Sequence, residues 1–451
     1  MITASRRSAI VVGVLLLCLA CRARAADAVT APLEKSQHAP ETILSDNTLR
    51  LTFGDERVIL PRGLQPSLLS TRDGTLVLQA QVPDKPFPAK RISYPWAMRT
   101  QLSRDGGLTW TTIPLKPGDN GLNMEGGATQ LRDDTILALD TYITPGDKPG
   151  VGMGQLYTST DDWRTLSGPA DVTFDMPGAK FDGSTDDGGR PHLAMRAHRR
   201  ILELPNGDLL TTIYGWLDGD HTPATYAPTM MKSRVMLLRS SDRGQHWRLI
   251  STVAVDPAVG TEGFGEAVLC RTGKGPNPKA LICFMRTGRN MYQATSQDEG
   301  ATWSPPKELI FAGLDVNRTE LWIDRLRTFK DFHGKLLDEK NLDEVRGSVV
   351  DPDLIELRRG LLVAAFGVRV PQKLCWQHPE FPWNGTYLAF SRDHGTTWGT
   401  VVRITSGVLT THYMAIEETP TDNTLYVTYD LGGWSRGMRR DVIGRTLKIE
   451  Q

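Results

Sequence analysis

The chain has 451 residues, with 52 basic and 52 acidic side chains spread along it, which argues against a nucleic-acid or anionic-membrane surface as its main partner. Apolar residues make up 39%, with 43 glycines and 11 tryptophans, which excludes a disordered chain and suits a turn-rich β protein with a large core. Length alone would allow two or three average domains, but an internally repeated chain runs long as one.

Residues 1–25 read as a signal peptide. Arg6-Arg7 precede an apolar run from Ile10 to Ala20, and Ala23-Arg24-Ala25 is a small-x-small cleavage site. Ser5-Arg6-Arg7-Ser8 also resembles a twin-arginine signal, and Leu19-Ala20-Cys21 a lipoprotein cleavage site. The expectation is cleavage after Ala25 and export from a bacterial cytoplasm, to the periplasm or beyond. The apolar run is too short to span a membrane and no later one reaches the required length, so no transmembrane segment is expected. Residues 26–46 read as a mobile leader and residues 47–451 as the folded domain.

Two repeats organise that domain. The first is Ser-x-Asp-x-Gly-x-Thr-Trp, at Ser103–Trp110, Ser296–Trp303 and Ser391–Trp398. Ser240–Trp247 has His246 in place of the threonine, and Ser159-Thr160-Asp161-Asp162-Trp163 lacks the glycine. Each copy reads as a tight turn: Asp bonds the backbone ahead of it, Gly supplies the φ > 0 position and Trp packs the turn onto the next strand. The second repeat is an apolar strand, a turn and another apolar strand. Its six copies run from Pro66 to Leu78, Gly127 to Leu139, Ile201 to Ile213, Glu266 to Phe284, Pro352 to Phe366 and Met414 to Val427. A hairpin followed by a turn motif makes a four-stranded antiparallel sheet, and six of these predict an all-β, six-bladed β-propeller. The sixth hairpin has no turn motif after it, so either Thr48–Leu60 or Val442–Ile449 should complete the last blade. Residues 313–346 form a charged insertion, either a surface excursion or a lid. Cys270 and Cys283 flank one hairpin and either bridge it or, with Cys375, stay free; the odd count favours free thiols.

In a propeller the inner strands start around the central axis, so the polar residues flanking the six inner hairpins are the site candidates. Here a resemblance becomes specific. The turn motifs resemble the Asp-boxes (bacterial neuraminidase repeats) of the sialidase superfamily. Gly265-Glu266-Ala267-Val268-Leu269, leading to Phe284-Met285-Arg286-Thr287-Gly288-Arg289, resembles that family's fourth blade. Asp353-Leu354-Ile355-Glu356-Leu357, leading to Gly367-Val368-Arg369, resembles the fifth, and Tyr413 opens the sixth hairpin at the place of the family's nucleophilic tyrosine, beside His412. The resemblance implies an exo-glycosidase acting on a glycan, with Tyr413 as nucleophile, Glu266 taking its proton, and Arg286 and Arg369 holding a substrate carboxylate. It implies no metal and no other cofactor. An arginine fork suits a carboxylate, and a tyrosine avoids the repulsion that a carboxylate nucleophile would meet.

The first hairpin departs from the family pattern: Leu64-Gln65-Pro66 stands where Arg-Ile-Pro is usual, with Arg62 two positions early. The following loop carries one acid, Asp84, among basic residues that include Arg91. Other acids that could supply the general acid are Glu125, Glu262, Asp351, Asp353, Asp186 and Asp187, with His192, Arg196 and His198 close by in sequence. A Glu125–Glu266 pair would make an ordinary two-carboxylate glycosidase. A glycosidase or polysaccharide lyase for another sugar, and a propeller that binds glycans without catalysis, are therefore the rival readings. Trp376 and Trp383 either form a sugar-stacking platform or pack their own loop. No zinc-binding or phosphate-loop motif is present.

Overall fold

The computed structural model describes residues 28–29, 39–83, 96–115, 121–181, 183–184, 192–225, 230–322, 324, 346–372, 374–434 and 440–450. The signal peptide, the first-blade loop with Asp84 and Arg91, Asp186 and Asp187, and most of the charged insertion lie outside these residues.

All six inner hairpins form. They pair Leu64–Ser70 with Leu76–Val82, Ala128–Gln130 with Ile136–Leu139, and Met195–Glu203 with Leu209–Leu217. The other three pair Gly265–Arg271 with Leu281–Arg286, Ser348–Glu356 with Leu362–Arg369, and Met414–Glu418 with Thr424–Gly432. The second strands are buried along almost their whole length, as in Leu362–Arg369, where every residue is buried. That is why they read as unbroken apolar runs. From the second hairpin round to the first, the first inner strands of successive hairpins touch one another, so the sheets stand in a propeller arrangement.

Six buried apolar clusters lie between successive hairpin units. One joins the first and second units through Val77, Leu102, Ile136 and Tyr157. The next join second to third (Leu156, Trp247), third to fourth (Leu237, Phe264) and fourth to fifth (Phe284, Phe366). The last two join fifth to sixth (Leu388, Tyr429) and sixth back to first (Tyr426, Trp110), so the core closes on itself.

The expected four-stranded sheets are found in part. Among the described residues, four sheets have four or five strands, but the second and third units run together in one ten-stranded sheet. They fuse because Ser167–Asp175 pairs in parallel with His246–Ala254 at the outer edge, while Tyr142–Pro145 pairs antiparallel with Met195–Glu203 and Arg200 bridges to Ala128.

Closure uses both candidate segments rather than one. Arg440–Glu450 is the third strand of the last sheet, and both Arg50–Phe53 and Arg57–Pro61 pair with it. Inside segment 26–46, Ala28–Val29 and Glu41–Leu44 each add an outer strand to a sheet, at Thr109–Ile113 and Thr400–Arg403. The three cysteines are free and buried. Cys270 faces Ile282 and Cys283 faces Leu269, so the two thiols point to opposite faces of the hairpin.

The five Ser-x-Asp turns share one geometry. In Ser391–Trp398 the Asp393 carboxylate accepts from Ser391 Oγ at 2.8 Å, Thr397 N at 2.8 Å and Thr397 Oγ1 at 2.6 Å, and Gly395 N donates to Ser391 Oγ at 2.9 Å. Gly395 has φ +85°. The variant at Ser159 keeps this network: Trp163 takes the glycine's place at φ +66° and is fully buried, and Thr165 supplies the bonds to Asp161. Trp163 therefore stands at the glycine's position of the turn, not at that of the motif's tryptophan.

Candidate active site at the propeller axis

Four of the six first inner strands break register near the axis. The breaks lie between Leu64 and Ser67, Ala197 and Ile201, Gly265 and Val268, and Val350 and Asp353. Each contains a non-glycine residue at positive φ: Gln65 (55°), Arg199 (68°), Glu266 (35°) and Asp351 (48°). A bulge of this kind re-aims a side chain, and here it gathers side chains from different sheets around one centre.

Glu266 is the hub. Its Oε1 accepts from the Tyr413 hydroxyl at 2.5 Å and from Arg286 Nη1 at 2.5 Å, and its Oε2 accepts from the Asp351 N–H at 3.0 Å. Arg286 also reaches Glu262, with Nε to Oε1 at 2.6 Å. Glu266 and Tyr413 are each 7% exposed, so the pair sits where charge is poorly screened. Burial pushes the Glu266 carboxyl up, but Arg286, His198 and the bonds from Arg286 and Tyr413 outweigh it and hold it well below the usual carboxylate range. Burial, and then the Glu266 charge, push the Tyr413 hydroxyl well above its usual value. The resting pair is a neutral phenol donating to a carboxylate, a nucleophile held against its base.

Arg369 completes this side. Its guanidinium lies 5.7 Å from the Tyr413 ring centroid and 5.1 Å from that of Trp376, and donates to Thr411 O at 2.8 Å. It forms no salt bridge with any described carboxylate, whereas Arg286 forms two. Trp376 donates to Thr410 O and backs Arg369, while Trp383 packs against Trp322 in the core; neither is arranged with the other as a shared platform. His412 is buried, and burial together with Arg369 pushes its imidazole well below its ordinary value, so it stands neutral.

Glu125 comes from a buried turn, Met124–Gly126, in the second unit. Burial raises its carboxyl, Asp351 and Glu266 add to this, and His198 and Arg196 oppose it. Its Oε1 lies 3.8 Å from His198 Nε2, and its Oε2 accepts from Asn123 Nδ2 of the same turn at 3.5 Å.

Beside it runs an ionic strut. Arg199 reaches Asp351, Met414 O at 2.9 Å and Pro66 O at 3.4 Å. Arg200 forks onto Asp353 at 2.9 and 2.8 Å and pairs with Glu417. The main-chain N–H groups of Met414 and Ile416 donate to Asp351 and Asp353, each at 3.0 Å. Asp351 and Asp353 are thus tied into structure.

Of the residues singled out in the sequence, Tyr413, Glu266, Arg286, Glu262, Arg369 and His412 come together, with Glu125, His198 and Asp351 adjoining them. Arg62 does not join them: it is an exposed residue at φ +68° in a surface turn, whose N–H donates to Arg440 O. A residue two positions before the bulge stays on the turn. In its place Gln65 is fixed by Asp430, which also holds Thr410 and Thr411. The sequence reading missed Arg199, Arg200 and Glu417. Aligning the hairpins by their bulge, with Arg199 opposite Glu266 and Asp351, would have found the first. A cleft of about 530 Å³ lined by Tyr292, Arg289, Glu308 and Arg346 lies beside Thr261 and does not include Tyr413.

No protein-family model and no curated protein matches the chain. Solved structures do. A protein of unknown function from Dyadobacter fermentans superposes with TM-score 0.57 at 19% identity, over 89% of this chain and 99% of that one. A Hadza microbial sialidase gives 0.52 at 14% identity, over 86% and 66% of the two chains. A mutant of the NanB sialidase of Streptococcus pneumoniae gives 0.50 at 12%, over 86% and 68%. At these identities the likeness is one of fold: the chain has the propeller architecture that these sialidases share.

Proposed function

We propose that the chain is an exported, six-bladed propeller, residues 47–451 after loss of the 1–25 signal, that hydrolyses a terminal sugar, sialic or otherwise acidic, from a glycan. The observation that carries this is the buried 2.5 Å hydrogen bond from Tyr413 to Glu266, with Arg286 bound to the same oxygen. The six-blade count is supported by six inner hairpins and the closed series of six core clusters between them.

In the proposed reaction Arg369, stacked between Trp376 and Tyr413, binds the sugar carboxylate. Tyr413 Oη attacks the anomeric carbon as its proton passes to Glu266 Oε1, and the glycosidic bond breaks with its electrons on the leaving oxygen. Water then attacks the anomeric carbon of the aryl glycoside so formed and gives one proton to the group that served the leaving oxygen, while the departing phenolate recovers its own proton from Glu266. The leaving oxygen needs a proton from an acid that none of the described residues is assigned to supply.

The test is hydrolysis of a panel of aryl glycosides that includes a sialoside. Tyr413→Phe and Glu266→Gln should each lower kcat/KM on the cleaved glycoside by about 10²–10⁴-fold. Near-wild-type turnover in both variants would sink the assignment. The sequence of the mature amino terminus in a bacterial host, starting at Ala26, would check the export reading.

A further inference from the structure

We infer that Glu125, His198 and Asp351 form a binding site for a divalent first-row metal ion of the zinc or manganese kind, on the propeller axis beneath the Tyr413–Glu266 pair. His198 is 1% exposed and Asp351 is wholly buried. His198 Nδ1 lies 3.1 Å from the Ala267 carbonyl oxygen, which can only accept, so the hydrogen sits on Nδ1. That leaves the Nε2 lone pair facing Glu125 Oε1 at 3.8 Å and Asp351 Oδ1 at 3.6 Å. These distances are too long for hydrogen bonds, and both His198 Nε2 and Asp351 Oδ1 are buried with no hydrogen-bond partner. A neutral imidazole's lone pair set against acid oxygens is costly unless a proton or a metal cation occupies the gap, and the spacing of the three ligand atoms favours the metal.

The spacing suits one. His198 Nε2 lies 3.8 and 3.6 Å from the two carboxylate oxygens, and all three atoms lie within 4.8 Å of one another, so a point equidistant from them is no more than about 2.4 Å from each, close to the bond lengths of zinc and manganese to imidazole and carboxylate. An imidazole that gives its other N–H to a main-chain carbonyl is the usual form of a metal-bound histidine. The rest of the shell is also in place: Arg199 and the Met414 N–H hold Asp351 Oδ2, which leaves Oδ1 for the ion. No zinc-binding motif signalled this site because its ligands come from three different hairpin units. The expectation of no metal came from the family resemblance, which this cluster does not follow. The ion would act as a positioning group, since Asp351 reaches Glu266 through its N–H. The inference does not depend on the glycosidase reading.

The experiment is metal analysis of the full chain purified without chelator, followed by titration of the chelated protein with Zn²⁺ and Mn²⁺. The expected result is about one tightly held ion per chain, a melting temperature that falls on chelation and recovers with either ion, and no uptake by His198→Gln. Should His198→Gln fail to fold, Co²⁺ added to the chelated wild-type chain should give visible absorption of a nitrogen-ligated ion. Wild-type protein that takes up none of these ions, or His198→Gln that binds as the wild type does, would overturn the inference.

Discussion

At the scale of single residues, the two site arginines have different electrostatic settings, and this separates their roles. Arg286 is neutralised by Glu262 and Glu266, while Arg369 lies on two rings without a carboxylate partner. Arg369→Ala should therefore raise KM for an acidic substrate by about 10–100-fold, the worth of one charge-assisted pair, and leave kcat nearly unchanged. Arg286→Ala should cut kcat as well, because it frees Glu266 to rise toward its burial-driven value and lose its negative charge. Steady-state kinetics on the cleaved glycoside distinguishes the two patterns. Tyr413, Glu266 and Arg369 were singled out in the sequence through the family resemblance of the hairpins that carry them, the apolar pattern serving only to locate those hairpins. Arg199 was not, since its place depends on a bulge between Ala197 and Ile201 that periodicity does not reveal.

At the scale of elements, the Ser-x-Asp turns behave as carboxylate clamps. Hydrogen bonds from Thr302 and Ser296 hold the exposed Asp298 at about 2, and Asp105, Asp161, Asp242 and Asp393 are lowered too, where hydrogen bonds outweigh burial. A folded-state value below the unfolded one means that the folded chain binds fewer protons. The stability from the Asp298 turn is thus fully present above pH about 4 and is lost as pH falls through about 2, and the other four lose theirs in the same direction. Asp298→Asn should lower the melting temperature at pH 5 and approach the wild-type value near pH 2; a gap that stays constant with pH would refute the linkage. The turns were legible because five copies repeat. The substitution of Trp163 for glycine was not, because the bonds to Ser159 and Asp161 define the turn rather than its residue names. The outer strands Ala28–Val29 and Glu41–Leu44 were equally hidden, being too short to carry a period of their own.

At the scale of the whole molecule, the axial strut joins sheets that share no strand pairing. Arg200 alone ties the third unit to Asp353 of the fifth and Glu417 of the sixth. Arg200→Met should cost about 3–5 kcal/mol, because it leaves buried carboxylates without their partner. Denaturant unfolding measures this, and a loss under about 1 kcal/mol would mean that the strut is dispensable. The ring is closed by Arg50–Phe53 lying against Arg440–Glu450, strands far apart in the chain. Protein synthesis delivers Arg50–Phe53 long before its partner. While the ribosome still holds Arg440–Glu450, the edge of Thr424–Gly432 is bare and Arg50–Phe53 has nothing to pair with. Closure therefore waits for Arg440–Glu450, and a chain without that strand would expose an apolar seam to its neighbours in the cell.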